Sequence, residues 1–309
     1  MVGVDPRRLE LLLELSRLGS MRAVAETQHV TTSTVSQQIA VLAREAGTPL
    51  IEPEGRRVRL TPAGRRLADH AVTILAALET ARCDLDPDAT PAGVLRVAAF
   101  ATGVRRSLLP VVGRLATTHP DVRLMIHEHE PGEALELLAS DDMDLALTYD
   151  YNLAPATYDR TLQARPLWET AWGLGVPAAD PGPGGGALAV FDRYRDHDWI
   201  VNSRNSADDE AVRTVASLAG FAPRVTHRVD SLDLLEDLVV AGLGVGLLPA
   251  DRPTVDGVRV LPLSEPVVML RALATVRRGR AEWPPLALVL DLLAAGEDPH
   301  LGGHLGEGT

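Results

Sequence analysis

V-T-T-S-T-V-S-Q-Q-I, residues 30–39, is the stretch that decides how the first third of this chain is read. Its polar residues fill one side, while Val35, Ile39 and, one turn further on, Leu42 recur at helical spacing on the other. Thr31 or Thr32 can cap this helix, and its pattern runs to about Glu45. Upstream, residues 7–18 predict a helix with Leu9, Leu12, Leu13 and Leu15 on or near one face, stopped by Gly19. Ser20 is a good cap for a short, Ala-rich helix over about residues 21–28, and His29-Val30 makes a tight junction. Downstream, residues 50–61 place Gly55 between short segments in which Val58 and Leu60 alternate with Arg57 and Arg59, a β-hairpin.

Three short helices and a hairpin make a winged helix-turn-helix. A helix that reads DNA needs short polar side chains near its N-terminus, where they reach base edges and phosphates in the major groove. Thr31, Thr32, Ser33, Thr34, Ser36, Gln37 and Gln38 supply them. Arg56, Arg57 and Arg59 in the wing suit backbone phosphates. The competing reading is an ordinary solvated helix in a small helical domain. A net charge of −12, taken alone, argues against nucleic acid. Its distribution argues otherwise: residues 1–66 hold ten Arg against seven acids, a net of +3, and residues 91–309 hold 19 Arg against 30 acids, a net of −11. A basic module on an acidic body fits that asymmetry.

Thr61-Pro62 starts a further helix, with Thr as cap and Pro at the first helical position. Leu67, Ala71, Ile74, Leu78, Ala81 and Leu85 recur along it at alternating spacings of four and three, a heptad seam that suggests dimerisation. Packing on its own domain is the alternative. Residues 86–93, D-P-D-A-T-P-A-G, read as a linker. Beyond it, strands and helices alternate to about residue 295, which implies α/β units around a mostly parallel sheet. Residues 181–186, P-G-P-G-G-G, read as a flexible surface loop. The Gly-rich residues 296–309 are expected to be disordered. The expected division is 1–64 winged helix-turn-helix, 65–90 helix and linker, and 91–295 an α/β domain.

The N-terminal segments resemble the DNA-binding domain and linker helix of LysR-type transcriptional regulators. L-x-x-L-L-x-L at 9–15, G-S-M-R-A-V-A-E at 19–26 and V-T-T-S-T-V-S-Q-Q-I at 30–39 carry the resemblance, with G-x-P-L-I-E at 47–52 and G-R-R-V-R-L-T-P-A-G at 55–64. L-R-V-A-A-F-A-T-G at 95–103, D-L-A-L-T-Y-D at 144–150 and A-G-L-G-V-G-L-L-P at 241–249 extend it to the C-terminal part. The chain departs from the family in carrying Thr31-Thr32-Ser33 where S-Q-P is frequent, Gln37 where Arg is frequent, and Ile51 and Pro53 where Phe and Arg are usual. A missing Arg leaves phosphate attraction leaning on the wing, and a recognition sequence borrowed from relatives does not follow.

The resemblance implies two Rossmann-like α/β subdomains of periplasmic-binding-protein type, with crossings near 150–165 and 225–275. It further implies a small-molecule effector in the cleft between them, homodimers or homotetramers, and a contact with RNA polymerase. Open α/β sheets bind ligands beyond the carboxyl ends of strands, beside helix N-termini. Ala101, Thr102 and Gly103, then Tyr149 and Asp150, then Asn202, Ser203, Asn205 and Ser206 occupy such positions. Thr102 and Ser203 are the expected hydrogen-bond donors, and Asp150 an acceptor from a hydroxyl or amine. Helix capping and turn lining are the plainer roles for the same residues.

Other chemistries find little support. The glycines at 242, 244 and 246 lead into a strand, not a helix, so a dinucleotide fingerprint fails. His127 and His129 share a strand face, with Glu128 and Glu130 on the other, and no metal or other cofactor is expected. No nucleophile elbow, H-E-x-x-H or P-loop occurs, so an enzyme is not expected. A single cysteine, Cys83, leaves no intrachain disulfide to form. No secretory leader and no membrane-length apolar run is seen, which predicts a cytoplasmic protein. Two rivals remain: a ligand-independent architectural DNA binder, and a solute-binding protein with a vestigial helical domain.

Overall fold

A computed structural model describes residues 4–54, 57–86 and 90–296. Arg56, Gly55 and residues 297–309 lie outside the described residues, and with them the wing's central glycine, one expected phosphate contact and nearly all of the tail. The chain begins with α1 (Pro6–Leu18), α2 (Met21–Thr27) and α3 (Thr32–Ala46), then β1 (Ile51–Glu54) and β2 (Arg57–Leu60), then the long α4 (Pro62–Leu85). Leu12, Val24, Val35, Ile39 and Leu42 are fully buried and form the first core. Ser20 and Thr31 cap α2 and α3 by accepting the amides of Ala23 and Thr34. Between them His29 takes a left-handed φ of 54°, a conformation His tolerates better than most residues. β1 and β2 pair antiparallel, with Glu52 opposite Arg59.

Thr61 fixes the joint between wing and α4. Its hydroxyl donates to Pro49 O at 2.8 Å and accepts the Gly64 amide at 3.0 Å. A Cβ on Gly64 would lie 2.0 Å from Leu50 O, so only glycine lets the helix lie this close. Leu67 and Ala71 then pack into the N-terminal core. Ile74, Leu78 and Leu85 instead stand 41%, 47% and 86% exposed, and Ala81 is exposed as well. The heptad seam is thus split: its first two positions serve this chain's own domain and its last four face outward.

The second part contains β3 (Gly93–Ala99), α5 (Ala101–Gly103), a π-helical turn (Val104–Leu108), α6 (Leu109–Thr118), β4 (Val122–Glu128), α7 (Pro131–Ala139) and β5 (Leu145–Tyr151). It continues with β6 (Leu162–Pro177), α8 (Ala187–Arg193), β7 (Asp198–Val201), α9 (Ala207–Leu218), β8 (Arg224–Arg228) and α10 (Leu232–Val240). β9 (Val245–Pro249), β10 (Val258–Leu261), β11 (Val268–Arg277) and α11 (Pro284–Ala295) complete it. Among the described residues the strands form one sheet of order β4-β3-β5-β11-β6-β9-β7-β8, with β10 on β6. Pairing is parallel within each end, β4-β3-β5 and β9-β7-β8. It is antiparallel through the middle, where β6 and β11 carry the chain from one α/β subdomain to the other and back. A mostly parallel sheet describes each subdomain and not the junction.

Two local features differ from the sequence pattern. The helix after β3 begins directly at Ala101 and passes through the π turn, with Gly103 under the Phe100 ring, where a Cβ would approach to 2.8 Å. α8 was not anticipated, although Ala187, Val190, Phe191 and Tyr194 have helical spacing and are buried.

The two parts meet through charge. Arg277 pairs with Asp69 of α4 at 2.6 Å and with the buried Asp141 at 3.4 Å, and Arg17 of α1 reaches Asp141 at 4.0 Å. Beside them Asp144 is gripped by Arg96 at 2.8 Å and by Arg280 at 3.1 Å. Thr80 on α4 also donates to Glu282 O at 2.8 Å.

Candidate functional site

At the N-terminal end of α3, Thr32, Ser33, Thr34, Ser36 and Gln37 are exposed while Val35 and Ile39 are buried. Two of the expected DNA contacts are otherwise engaged. Thr31 Oγ1 accepts the Thr34 amide at 3.1 Å and shares hydrogen bonds of 2.8 Å with Ser33 and Thr34 hydroxyls, so its task is capping. Gln38 turns inward, its Oε1 accepting from Arg8 Nε at 2.9 Å, and Arg8 in turn pairs with Glu45. In the wing, Arg59 meets Glu52 across the hairpin at 2.9 Å. Both partners are exposed, and such a pair holds weakly enough to exchange for a phosphate. Arg57 lies on β2.

The second site is a cavity of about 810 Å³ where the strand ends of both subdomains converge. That volume suits a small organic molecule. Ala101, Thr102, Tyr149 and Asn202 line it, so the structure brings together four of the expected effector residues. The others stand behind it. Gly103 is packed under Phe100. Asp150 forms a two-pronged pair with Arg271, both oxygens at 2.8 Å, and accepts the Ala156 amide at 2.8 Å, which makes it a strut beside the crossover. The Ser203 hydroxyl donates to Asp230, a wall residue, and so holds the wall. Asn202 Oδ1 accepts the amides of Arg204 and Asn205 at 2.8 Å, forming the turn before α9. Asn205 Oδ1 accepts the Ala207 amide at 3.1 Å, and Ser206 is exposed without a side-chain capping bond.

Beside Tyr149, the cavity's character comes largely from residues that sequence reading did not assign to it. Phe100, Tyr149, Trp168 and Trp172 form an aromatic wall. Phe100 and Tyr149 meet edge to face at 4.8 Å, and Tyr151 links to Trp172 at 5.5 Å behind them. Trp168, Thr170 and Trp172 alternate along β6 and line the cavity together, as a period of two requires. The Trp172 indole N–H has no hydrogen-bond partner in the structure. Glu128 and Glu130, read as sharing one strand face, both reach the cavity. Tyr149 Oη donates to Glu130 Oε2 at 2.8 Å. Burial nevertheless pushes the Glu130 carboxyl above its ordinary value, and it raises the Tyr149 hydroxyl well above 10.0.

Asp208, in the first turn of α9, is enclosed at its carboxyl although the residue as a whole is only partly buried. Burial pushes it up to about 7. Tyr151 Oη approaches the same carboxyl without meeting it in good hydrogen-bond geometry. Two ion pairs span the opening from one subdomain to the other: Arg106–Asp251 at 3.2 Å and Arg204–Glu133 at 3.4 Å. Arg106 also stacks over Trp168 at 4.3 Å. On the far face of β4 the His127 and His129 rings stack at 6.3 Å, and His129 pairs with Glu133. Among the described residues no cluster is arranged to hold a metal ion.

Comparison with known proteins joins both sites to one family. Residues 6–65 match the bacterial regulatory helix-turn-helix protein model of the lysR family, and residues 88–297 match the LysR substrate binding domain. The transcriptional dual regulator GltC of Bacillus subtilis is 29% identical over 248 residues, covering 77% of this chain and 81% of that protein. The DNA-binding transcriptional dual regulator OxyR of Escherichia coli is 28% identical over 267 residues, covering 84% and 85%. A full-length OxyR variant from Pseudomonas aeruginosa shares the fold at a TM-score of 0.72, with 21% identity over 96% of this chain and 95% of its own. These matches span the winged part and the cavity-bearing part alike, in the same order along the chain. The chain belongs to the LysR family of DNA-binding transcriptional regulators, which are not enzymes.

Proposed function

We propose that the exposed face of α3 reads operator DNA, that the cavity takes the regulatory effector, and that α4 joins two copies of the chain. The units are 1–64 for DNA, 65–90 for pairing and 91–295 for the effector. The observation that carries this reading is the division of labour on one chain. A polar helix face stands open at one end, and a small-molecule cavity lies between two subdomains at the other. Thr32, Ser33, Thr34, Ser36 and Gln37 supply base and phosphate contacts, with the wing arginines on the backbone.

Effector binding acts by population shift. A ligand changes the balance of two arrangements only through its different affinity for each. Ion pairs across the cavity mouth and the charged seam Arg17–Asp141–Arg277–Asp69 are contacts that can differ between arrangements. Two pairs of wings, or one, would then change their spacing on DNA, and with it the bend or the contact to RNA polymerase. Such a regulator works in the cytoplasm, where its DNA is. Among the described residues no helix is long and apolar enough to cross a membrane. Cys83, the single cysteine here, sits on α4 and is not among the residues that line the cavity.

Pairing through α4 is testable with Ile74→Glu/Leu78→Glu, which places charges on its exposed stripe. Sedimentation velocity should show the double variant as a folded monomer, and a DNase footprint over paired half-sites should shrink or vanish. A variant that keeps its oligomeric state and full footprint would exclude α4 as the pairing element.

A further inference from the structure

The chain holds few aromatic residues, 4% of its length, yet four of them line this one cavity. The formal charge of the lining is also uneven. Six carboxylates, Glu128, Glu130, Asp208, Asp230, Asp233 and Asp251, face four guanidiniums. Three of those arginines are already matched. Arg204 holds Asp230 at 2.7 Å, Arg252 holds Asp233 and reaches Glu236 at 3.1 Å, and Arg106 holds Asp251. Arg105 is exposed. Glu130 and Asp208 have no arginine in ion-pair contact among the described residues, although Glu130 is 5% exposed.

An anionic effector would meet this lining badly. The N-terminus of α9 is a natural anion seat, but the acidic side chains of Asp208, Asp209 and Glu210 already occupy its first turn, Asp209 held there by Arg213 at 2.6 Å and Arg228 at 2.9 Å. Negative groups on the ligand would be held against carboxylates that lack cations of their own. A positive group finds the opposite. Carboxylates lie beside aromatic rings, and a cation within about 6 Å of such a ring is attracted to its face. An independent sign that the cavity takes a ligand comes from Trp172, which is 6% exposed, lines the cavity and leaves its indole N–H unpaired. Buried indole nitrogens ordinarily find an acceptor, and a polar atom on a ligand's body would supply one.

We propose that the cavity takes an organic cation, with an ammonium-type nitrogen beside Glu130 and Asp208 and an apolar body against Phe100, Tyr149 and Trp172. The inference rests on the reading of this cavity as the effector site. It narrows that site to amines and related nitrogen cations and disfavours simple carboxylates.

The test uses matched probes on the full-length protein: phenethylammonium against 3-phenylpropanoate, and hexylammonium against heptanoate. Each is titrated to about 1 mM, the weak end of specific binding. Intrinsic fluorescence reports the chain's four tryptophans, of which Trp168 and Trp172 line the cavity, and the thermal midpoint reports global stabilisation. The expected result is that at least one ammonium binds about tenfold or more tighter than its carboxylate twin, as desolvated charge and cation–π contact require. Glu130→Gln, which can still accept from Tyr149, and Asp208→Asn should each erase that preference while the fold survives. Tighter binding of a carboxylate would overturn the cation assignment and leave the effector cavity standing. No response to either pair would overturn both. A preference that survives both substitutions would place the cation elsewhere and overturn the assigned seat.

Discussion

Asp208 offers a quantitative check on the cavity's electrostatics. Its carboxyl is enclosed, one oxygen lacks a partner, and burial moves it from an ordinary 3.8 to about 7. The groups that face it are Tyr151, which favours ionisation, and Glu130, Asp209 and Asp230, which oppose it. In the unfolded chain the same group titrates near its ordinary value. Between those two pH values the folded state therefore binds more protons than the unfolded state, so stability falls as pH rises through the window. The penalty is absent below about 4 and complete above about 7. At ~1.4 kcal/mol per pH unit it amounts to at most ~4 kcal/mol. Asp208→Asn carries no titrating proton and escapes the penalty. Its advantage over wild type should grow by up to ~3 kcal/mol between about pH 5 and pH 8, or roughly 5–10 °C in thermal midpoint for a chain of this size. Calorimetry of both proteins at the two pH values reads it directly. A difference that does not change with pH would refute the argument, because the carboxyl would then titrate alike in both states.

Two further outcomes follow from packing. Gly64→Ala places a methyl 2.0 Å from Leu50 O, so the wing must shift from α4. A loss of about 1–3 kcal/mol, seen as an earlier melting transition, is expected for such overpacking. Asp144→Asn leaves the half-buried Arg96 and Arg280 without the buried carboxylate they share, and up to about 3–5 kcal/mol, the cost of breaking a buried pair from one side, should be lost. A urea melt that barely moves would show that this cluster relaxes into water.

Much of the fold is written in short-range pattern. Val35, Ile39 and Leu42 repeat at helical spacing because one face of α3 is buried, and they lie fully inside. Thr61-Pro62 starts α4 where cap chemistry says it should. Alternation along β4 already separated His127 and His129 from the glutamates that reach the cavity. Pattern fails where distance takes over. Nothing local shows that Gln38 turns to Arg8 or that Asp150 is consumed by Arg271, since each partner lies 30 or more residues away. The aromatic wall draws on β5, β6 and the residue after β3, and only the tertiary fold gathers them. Trp168 and Trp172 share a face by simple alternation, and that was the available signal. α8 carried its own helical spacing too, but the glycine run before it masked the start.

Sequence reading by α3 is tested by DNA titration. Purified protein would be titrated onto the DNA upstream of its own gene and onto random DNA across a salt series, beside a Thr32→Ala/Gln37→Ala double variant. The expected result is a tight footprint on the upstream DNA whose affinity falls with salt as counterions are released, and a marked loss in the double variant with its fold intact. Weak binding that is equal on both DNAs and unchanged in the variant would contradict it.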